Sequence, residues 1–490
     1  MRSERELAQI DSVYHLSKED KAEQFCQGTA CFVARHLNPD RWSAALNQEQ
    51  RTYCLGNCFM SPASSSDAIR PKMESHCRES IVLGDILNGP CRSLAAYSAH
   101  DGYLALQQAL DQPKEELLER MELSGLRGRG GAGYPTGKKW RAVAAQRATE
   151  KFVIANADEG DPGAYIDRYL IEDIPHRLIE SMIIAGYSVG SAKGYIYLRK
   201  EYPQACAIMK QALAEARNEG VLGERILGKD FSFDIDLVIG RGSYVCGEET
   251  ALLNSIEGRR PEVRLRPPYP AEDGLFHKPT LINNVETLAN VPWIVRHGGD
   301  AFRKMGFSNS HGTKVLSLNS LFCSPGLYEI EFGISVREIV ESLGGGLVAG
   351  RSIKGLLIGG PLAGIIPPHL FETPLGFEEL TSIGAAVGHG GVIAFDGHTS
   401  IAELVHHVFG FGAFESCGKC TPCRLGSREI EQIFRRIVET GNGSAHEREG
   451  LSDITSALEM TSLCGLGSGL AEFATSVLRY YAEELESCFR

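Results

Sequence analysis

LRGRGGAGYPTGKKW, Leu126 to Trp140, packs five glycines into the ten residues from Gly128 to Gly137 and sets two arginines and two lysines around them. No apolar period runs through it, which excludes a core helix and a core strand. Gly128, Gly130 and Gly133 fit G-x-G-x-x-G, a spacing that lets backbone amides close on a phosphate at a helix N-terminus. An ordinary glycine-rich loop is the competing reading. A dinucleotide fingerprint follows a strand, yet the residues before this loop, EELLERMELSGL, read as a helix. A helix-like WRAVAAQRAT and a strand-like KFVIANADEG come after it. The expectation is a bound phosphate on something other than a plain dehydrogenase-type NAD fold.

Downstream, FVIANADEGDPGAYIDRYL places a strand and then Asn156, Asp158, Glu159 and Asp161. Carboxylates this close repel one another in a packed face. At the C-terminal end of a strand they accept hydrogen bonds from ribose or flavin; a solvated acidic turn is the alternative. IPHRLIESMIIAGYSVG reads as a buried helix, GYIYLR as a strand, EYPQACAIMKQALAEARNEG as a helix and FSFDIDLVIG as a strand. That alternation predicts an α/β fold with a mostly parallel sheet. The last strand gives way to GRGSYVCGEETALLNSIEG, so Tyr244, Gly247, Glu248 and Glu249 fall at the carboxyl edge, where ligands bind. Asn283 and Asn284 open a further helix, and their amides can bond a heterocycle or a phosphate. From residue 312 to about 395, short strands surround one helix, with GAAVGHGGVIAFD as the link to the next region.

The chain has 490 residues, a net charge of −12 and 43% apolar residues, which suits two to four globular domains. An acidic balance argues against nucleic acid as a partner. No apolar run reaches the ~18 residues a membrane helix needs. The opening MRSERELAQIDSVYHLSKEDKAEQ is too charged for a secretory signal and reads as a charged helix over residues 1 to about 25. A cytoplasmic protein is expected, in which fourteen cysteines are better explained by metal than by disulfides. Cys417, Cys420 and Cys423 form C-x2-C-x2-C, and Cys464 lies further on, the pattern of a 4Fe-4S cube; zinc with four cysteines is the alternative. Cys26 with Cys31, and Cys54 with Cys58, give C-x4-C and C-x3-C in two glycine-containing loops. That suits a 2Fe-2S cluster, against four buried thiols that bind nothing.

LRGRGGAGYPTGKKW, NADEGDPG, YVCGEETALLNSIEGRRP, INNVETLANVP and ESCGKCTPCR with SLCGLG together resemble the NADH-binding (51 kDa-type) flavoprotein subunit of respiratory complex I and its soluble relatives, in colinear order over about residues 95 to 480. CQGTAC and CLGNC resemble the 2Fe-2S thioredoxin-like subunit of the same complexes, fused here, although only 22 residues separate Cys31 from Cys54. The resemblance implies an α/β multidomain chain: a thioredoxin-like 2Fe-2S module over 1–95, a Rossmann-like FMN- and NAD-binding domain over 96–310, a ubiquitin-like β-grasp (SLBB-type) domain over 311–396 and a helical 4Fe-4S domain over 397–490. IGGPLAGIIPPHLF and AVGHGGVIAFD look most like the β subunit of cytoplasmic NAD-dependent formate dehydrogenases.

By that resemblance, Gly128, Arg129, Gly130 and Gly131 wrap the FMN phosphate and Lys139 sits near the phosphates. Asn156, Asp158 and Glu159 line the flavin, Tyr244, Gly247, Glu248 and Glu249 face it, and Asn283, Asn284 and Thr287 hold its phosphate end. NAD is expected against Tyr134, Asp161, Arg266 and Tyr269. The hydride belongs to the flavin, so no side chain is expected to act as acid or base in that step. The implied activity is that of a diaphorase subunit. It would pass electrons from partner clusters through 4Fe-4S to FMN and on to NAD+. The implied partner is a molybdenum- or tungsten-containing formate dehydrogenase large subunit with its own iron–sulfur clusters, and a separate small 2Fe-2S subunit is a second candidate. Alternatives are the diaphorase subunit of an NAD-reducing hydrogenase or NADH-quinone oxidoreductase and, in another class, a non-catalytic electron-relay or assembly subunit.

Overall fold

The structure, a computed structural model, describes residues 12–16 and 23–489. The charged helix expected over residues 1 to about 25 lies mostly outside them. In chain order the strands are β1 Lys72–His76, β2 Phe152–Ala157, β3 Lys193–Leu198, β4 Asp234–Ile239, β5 Thr280–Asn284, β6 Gly306–Phe307, β7 Ser310–His311, β8 Thr313–Leu318, β9 Gly326–Glu331, β10 Ile353–Ile358, β11 Ile365–Ile366 and β12 Gly391–Asp396.

One sheet has the order β4-β3-β2-β5, all parallel. Its central strand β2 reads FVIANA because both of its faces are covered. Val153 and Ala155 belong to the same core as Ile179, Met182 and Ile183 of helix Pro175–Val189. Ile154 packs instead with Leu252 and Leu253 of helix Glu249–Ile256. Helix Pro175–Val189 starts on a proline whose missing N–H is not needed there, and it stops at Gly190 in the left-handed region, φ +78°. The chain steps outward from β2 to β3 to β4 and then returns to β5 on the other side of β2. A crevice opens where the order reverses, at the carboxyl ends of β2 and β5. Asn156 and Asn284 stand opposite each other in register at that point.

The second sheet has the order β1-β9-β8-β12-β10-β11 and is mixed. GVIAFD is not a link, as its position between glycines suggests. It forms β12, fully buried, parallel to β8 and antiparallel to β10. Flanking glycines punctuate a central strand here rather than a linker.

Residues 1–95 are the range expected to form a thioredoxin-like module. Among the described residues of that range, helices Thr29–Val33 and Pro39–Asn47 accompany a single strand, β1, and β1 pairs in parallel with β9 of the second sheet. The attachment is chemical as well as apolar. The buried carboxylate of Glu329 on β9 accepts the backbone N–H groups of Ile81, Val82 and Leu83 at 2.8–2.9 Å. Residues 72–83 are thus built into the sheet.

The C-terminal part is helical, with Ile401–Glu415, Ser427–Thr440, Ala445–Thr461 and Gly465–Tyr480. Ser400 with Glu403, and Ser444 with Glu447, form reciprocal capping boxes that satisfy the first amides of two of these helices. No helix among the described residues is long and apolar enough to cross a membrane.

Candidate functional site

The glycine stretch is a tight loop between helix Lys114–Leu123 and helix Thr136–Ala144. Its base is closed by Gly128 N–H donating to Tyr134 O at 2.9 Å. Its tip touches both sheets. Gly131 bridges Gly388, just before β12, and a side chain at Gly130 would put its Cβ 2.8 Å from Cβ of Asn284 at the end of β5. Gly131 has φ +126°, which only glycine adopts without strain.

Between these parts lies a cavity of about 830 Å³. Gly130 and Gly131 line it from the loop, Asn156, Asp158 and Asp161 from the end of β2, Tyr244, Gly247 and Glu248 opposite, and Asn284 from β5. Asn156 Nδ2 donates to Gly247 O at 2.8 Å and holds the two acidic segments together. The Tyr244 hydroxyl donates to Asp161 Oδ1 at 2.6 Å. Burial pushes the carboxyls of both Asp158 and Asp161 above the usual carboxylate range. Asp158 Oδ2 and Glu248 Oε1 are buried with no hydrogen-bond partner in the chain. Buried polar atoms normally have one, so the wall is built to meet a polar occupant.

Several residues expected at the ligand are placed elsewhere. The Arg129 guanidinium is fully buried and donates to the carbonyls of His311, Thr313 and Arg127, while its own N–H donates to Thr287 Oγ1. Arg129 and Thr287 therefore fix the loop to the sheet rather than face the cavity. Glu159 is turned inward, where its carboxylate accepts the N–H groups of Ile166, Asp167 and Arg168 and caps helix Ile166–Asp173. Burial, with Asp167 adding to it, raises its carboxyl to about 7. Asn283 Oδ1 accepts from Trp140 Nε1 at 3.0 Å, a buried contact that seats the helix after the loop. Lys139 pairs with Glu249 at 3.2 Å, and Arg266 pairs with Glu249 at 3.3 Å and Glu248 at 3.7 Å. Tyr134 and Tyr269 are both more than half exposed. Among the wall residues with no counterpart in the sequence reading are Asp167 and His389. His389 sits in the AVGHGGVIAFD stretch read as a link, and an imidazole between glycines was its one visible signal.

The cavity also reaches the cysteines of the helical part. Cys464, Gly465, Leu466, Ser468 and Gly469 line it. Cys464 is the N-cap of helix Gly465–Tyr480 and packs in one apolar cluster with Cys417. Burial, with Cys420, Cys464 and Cys417 adding to it, pushes the Cys423 thiol up to about 12. Four cysteines drawn from two segments thus share one half-buried space, which as bare thiolates would be costly and as metal ligands is not. The donor set fits a cluster.

A second set of cysteines meets behind the acidic segment. Cys26, Cys31, Cys54 and Cys58 are all at most 2% exposed. Cys54 and Cys58 have their sulfurs 3.7 Å apart. The hydrogen bond with Cys31 brings Cys26 down to about 7, although burial opposes it, and the amides of Gly28, Leu55 and Cys54 also point to its sulfur. The Ala63 N–H donates to Cys31 Sγ at 3.4 Å. Two thiol pairs with backbone amides aimed at sulfur suit metal-bound thiolates.

The family described as Nuo51 FMN-binding domain matches residues 121–293, and that described as NADH-ubiquinone oxidoreductase-F iron-sulfur binding region matches residues 403–488. An NADH-quinone oxidoreductase subunit of Rhizobium meliloti (strain 1021) is 43% identical over 392 residues, 80% of this chain and 93% of that protein. The chain belongs to the complex I 51 kDa-type NADH-binding flavoprotein family. The flavoprotein family also includes the NADP-reducing hydrogenase subunit HndC of Solidesulfovibrio fructosivorans, 40% identical over 395 residues, 81% of this chain and 80% of that one. Among solved structures, a chain of an NAD+-reducing [NiFe]-hydrogenase in the H2-reduced state aligns with a TM-score of 0.81 at 28% identity, covering 99% of this chain and 88% of that one. The flavoprotein's FMN region thus spans the cavity's sheet, and its iron–sulfur region spans the helices that carry Cys417 to Cys464.

Proposed function

We propose that this chain is the NADH-binding diaphorase subunit of an NAD-reducing hydrogenase or an NADH-quinone oxidoreductase. The observation that carries the reading is one cavity walled at one end by the glycine loop and the acidic segment and at the other by a cluster cysteine, Cys464. FMN, when bound, supplies two-electron exchange with a nicotinamide and one-electron exchange with an iron–sulfur cluster. The residues of this chain do the rest. Gly130, Gly131 and Asn284 give the phosphate end its backbone approach. Asn156, Asp158, Tyr244 and Gly247 wall the ring. The Glu248, Glu249, Lys139 and Arg266 network, with the exposed rings of Tyr134 and Tyr269, receives the nucleotide. Cys417, Cys420, Cys423 and Cys464 hold a 4Fe-4S cube, and the four N-terminal cysteines hold a 2Fe-2S cluster. The six-stranded sheet is read as a β-grasp whose segment just before β12, Ala386 to His389, lines the cavity.

The formate dehydrogenase reading rests on IGGPLAGIIPPHLF and AVGHGGVIAFD, which have no chemical tie to formate. The relatives found favour the hydrogenase and quinone-linked readings instead. The partner is accordingly a large subunit with its own iron–sulfur clusters. NADH-dependent reduction of ferricyanide by the purified chain tests the diaphorase, since a relay subunit without nucleotide binding gives none. Nickel, molybdenum and tungsten analysis of the complex purified from its source then identifies the partner.

A further inference from the structure

A dianionic phosphate at the glycine loop needs positive charge, and the expected cations do not reach the cavity. Arg129 is engaged beneath the loop and Lys139 is paired with Glu249. Among the described residues, the basic side chains that line the cavity are Arg127 and His389. Arg127 donates to Gly133 O and to Glu378 and lies over the Phe377 ring at 4.0 Å. His389 is different. It follows Gly388, the residue that bridges Gly131, so the second sheet delivers it to the tip of the glycine loop. Its Nε2 is 3.1 Å from Asp167 Oδ2, and its carbonyl accepts from Lys314 Nζ at 2.9 Å. Its Nδ1 is buried with no hydrogen-bond partner. The nearest acid to Nδ1, Glu159, stands 3.6 Å away with both oxygens already accepting backbone N–H groups.

We propose that His389, carried by the six-stranded sheet, supplies the charged hydrogen-bond donor for the phosphate of the flavin mononucleotide in this cavity. This rests on the FMN reading given above and adds a ligand to it. Asp167 fixes the imidazole through Nε2 and leaves Nδ1–H as the free donor. Burial works against the charge, but Asp167 and Glu159 raise the imidazole to about 9. The charged groups facing it are Asp167, Glu159 and Asp161 from the segment after β2, Lys314 from β8 and, behind that lysine, Glu286. A fixed donor of this kind acts on the phosphate and not on the ring, so it separates FMN from riboflavin.

The test uses the full chain freed of flavin, with binding of FMN and of riboflavin followed by quenching of flavin fluorescence. His389→Gln should weaken FMN about tenfold, the size of one charge-assisted hydrogen bond, and leave riboflavin within about twofold. The wild type gives an arm that needs no variant. Its preference for FMN over riboflavin should shrink as pH rises from about 7.5 through about 9, where the imidazole loses its proton, because the phosphate's second ionisation near 6 is already complete. Equal FMN affinity in the variant, riboflavin weakening in step with FMN, or a pH-independent preference overturns the proposal. Wild-type protein that takes up neither flavin overturns the FMN reading itself, a distinguishable result.

Discussion

The Cys54 thiol lies 3.5 Å from the backbone carbonyl oxygen of Ala164. The Ala164 N–H in turn donates to Asp161 O, and Asp161 lines the cavity. Arg168 ties the same region from the other side, donating to Leu55 O at 2.9 Å and Asn57 Oδ1 at 2.7 Å. The N-terminal cysteines therefore sit one short segment behind the proposed flavin wall. The 2Fe-2S cluster proposed there would lie next to that site.

Cys54→Ser should remove about two irons per chain and one reduced-cluster EPR signal, because oxygen is a poor substitute for a thiolate on such a cluster. Flavin absorbance and NADH–ferricyanide activity should persist, since the cavity lining comes from residues after 126. Truncating the chain at about residue 90 is the wrong way to ask this question. It would strip β1 from β9 and leave the Glu329 carboxylate without the amides of Ile81, Val82 and Leu83. Unchanged iron in Cys54→Ser would show that these thiols are structural.

Cys420→Ser tests the other cluster independently. Cys420 is the half-buried member of the C-x2-C-x2-C set, so its serine disturbs packing less than one at Cys423. About four irons per chain and the matching sulfide should be lost, while FMN binding stays. Zinc in the purified wild-type chain at one atom per site, with no sulfide, would overturn the cube.

Much of this was legible in the sequence, and the reasons are local. The alternation from FVIANADEGDPGAYIDRYL to FSFDIDLVIG gives β2, β3 and β4 with their helices, because each strand is short, apolar and bounded by turn residues. Cysteine spacing marks the iron–sulfur region at Cys417 to Cys464, because thiolate ligation fixes spacing more tightly than packing does, and it is the spacing of Cys26, Cys31, Cys54 and Cys58 that raises the proposal of a second cluster. What escaped the sequence depends on contacts distant along the chain. Arg129 looks like a phosphate ligand until His311 and Thr313, more than 180 residues away, supply carbonyls for it. Glu159 looks like a flavin contact until its own chain turns back as a helix whose first amides need a cap. The pairing of β1 with β9 spans some 250 residues and leaves no local periodicity to read.

Gly130→Ala probes the cavity where loop and sheet approach most closely. The added Cβ would meet Asn284 Cβ at 2.8 Å and its Cγ at 3.2 Å. Asn284 cannot yield freely, since its side chain caps helix Val285–Ala289 and donates to Asp167 at 2.6 Å. The loop tip must move instead, and with it the amides proposed for phosphate. FMN affinity should fall by about tenfold or more and the purified protein should lose yellow colour, with iron content unchanged. Full flavin occupancy in Gly130→Ala would remove the glycine loop from the flavin site.

Lys314 and Glu286 form an ion pair with both side chains fully buried, between β8 and the helix that follows β5. It is one of the polar joints between the parts that carry the two sheets. Glu286 also accepts the Val315 N–H at 2.8 Å, and Lys314 also donates to Val315 O and His389 O. Burial, with the Arg129 charge adding to it, drives the ammonium's proton affinity down, and the facing carboxylate works against that. Lys314→Met keeps the apolar stem and removes the charge, leaving Glu286 buried without its cation. Breaking such a pair from one side costs about 3–5 kcal/mol, so urea denaturation should show a loss of that order. Replacing both residues, Lys314→Met with Glu286→Gln, should recover part of it, because the stranded charge is then gone. If the single substitution costs no more than the double, the pair is not what joins the sheets, and the apolar packing between them carries the joint.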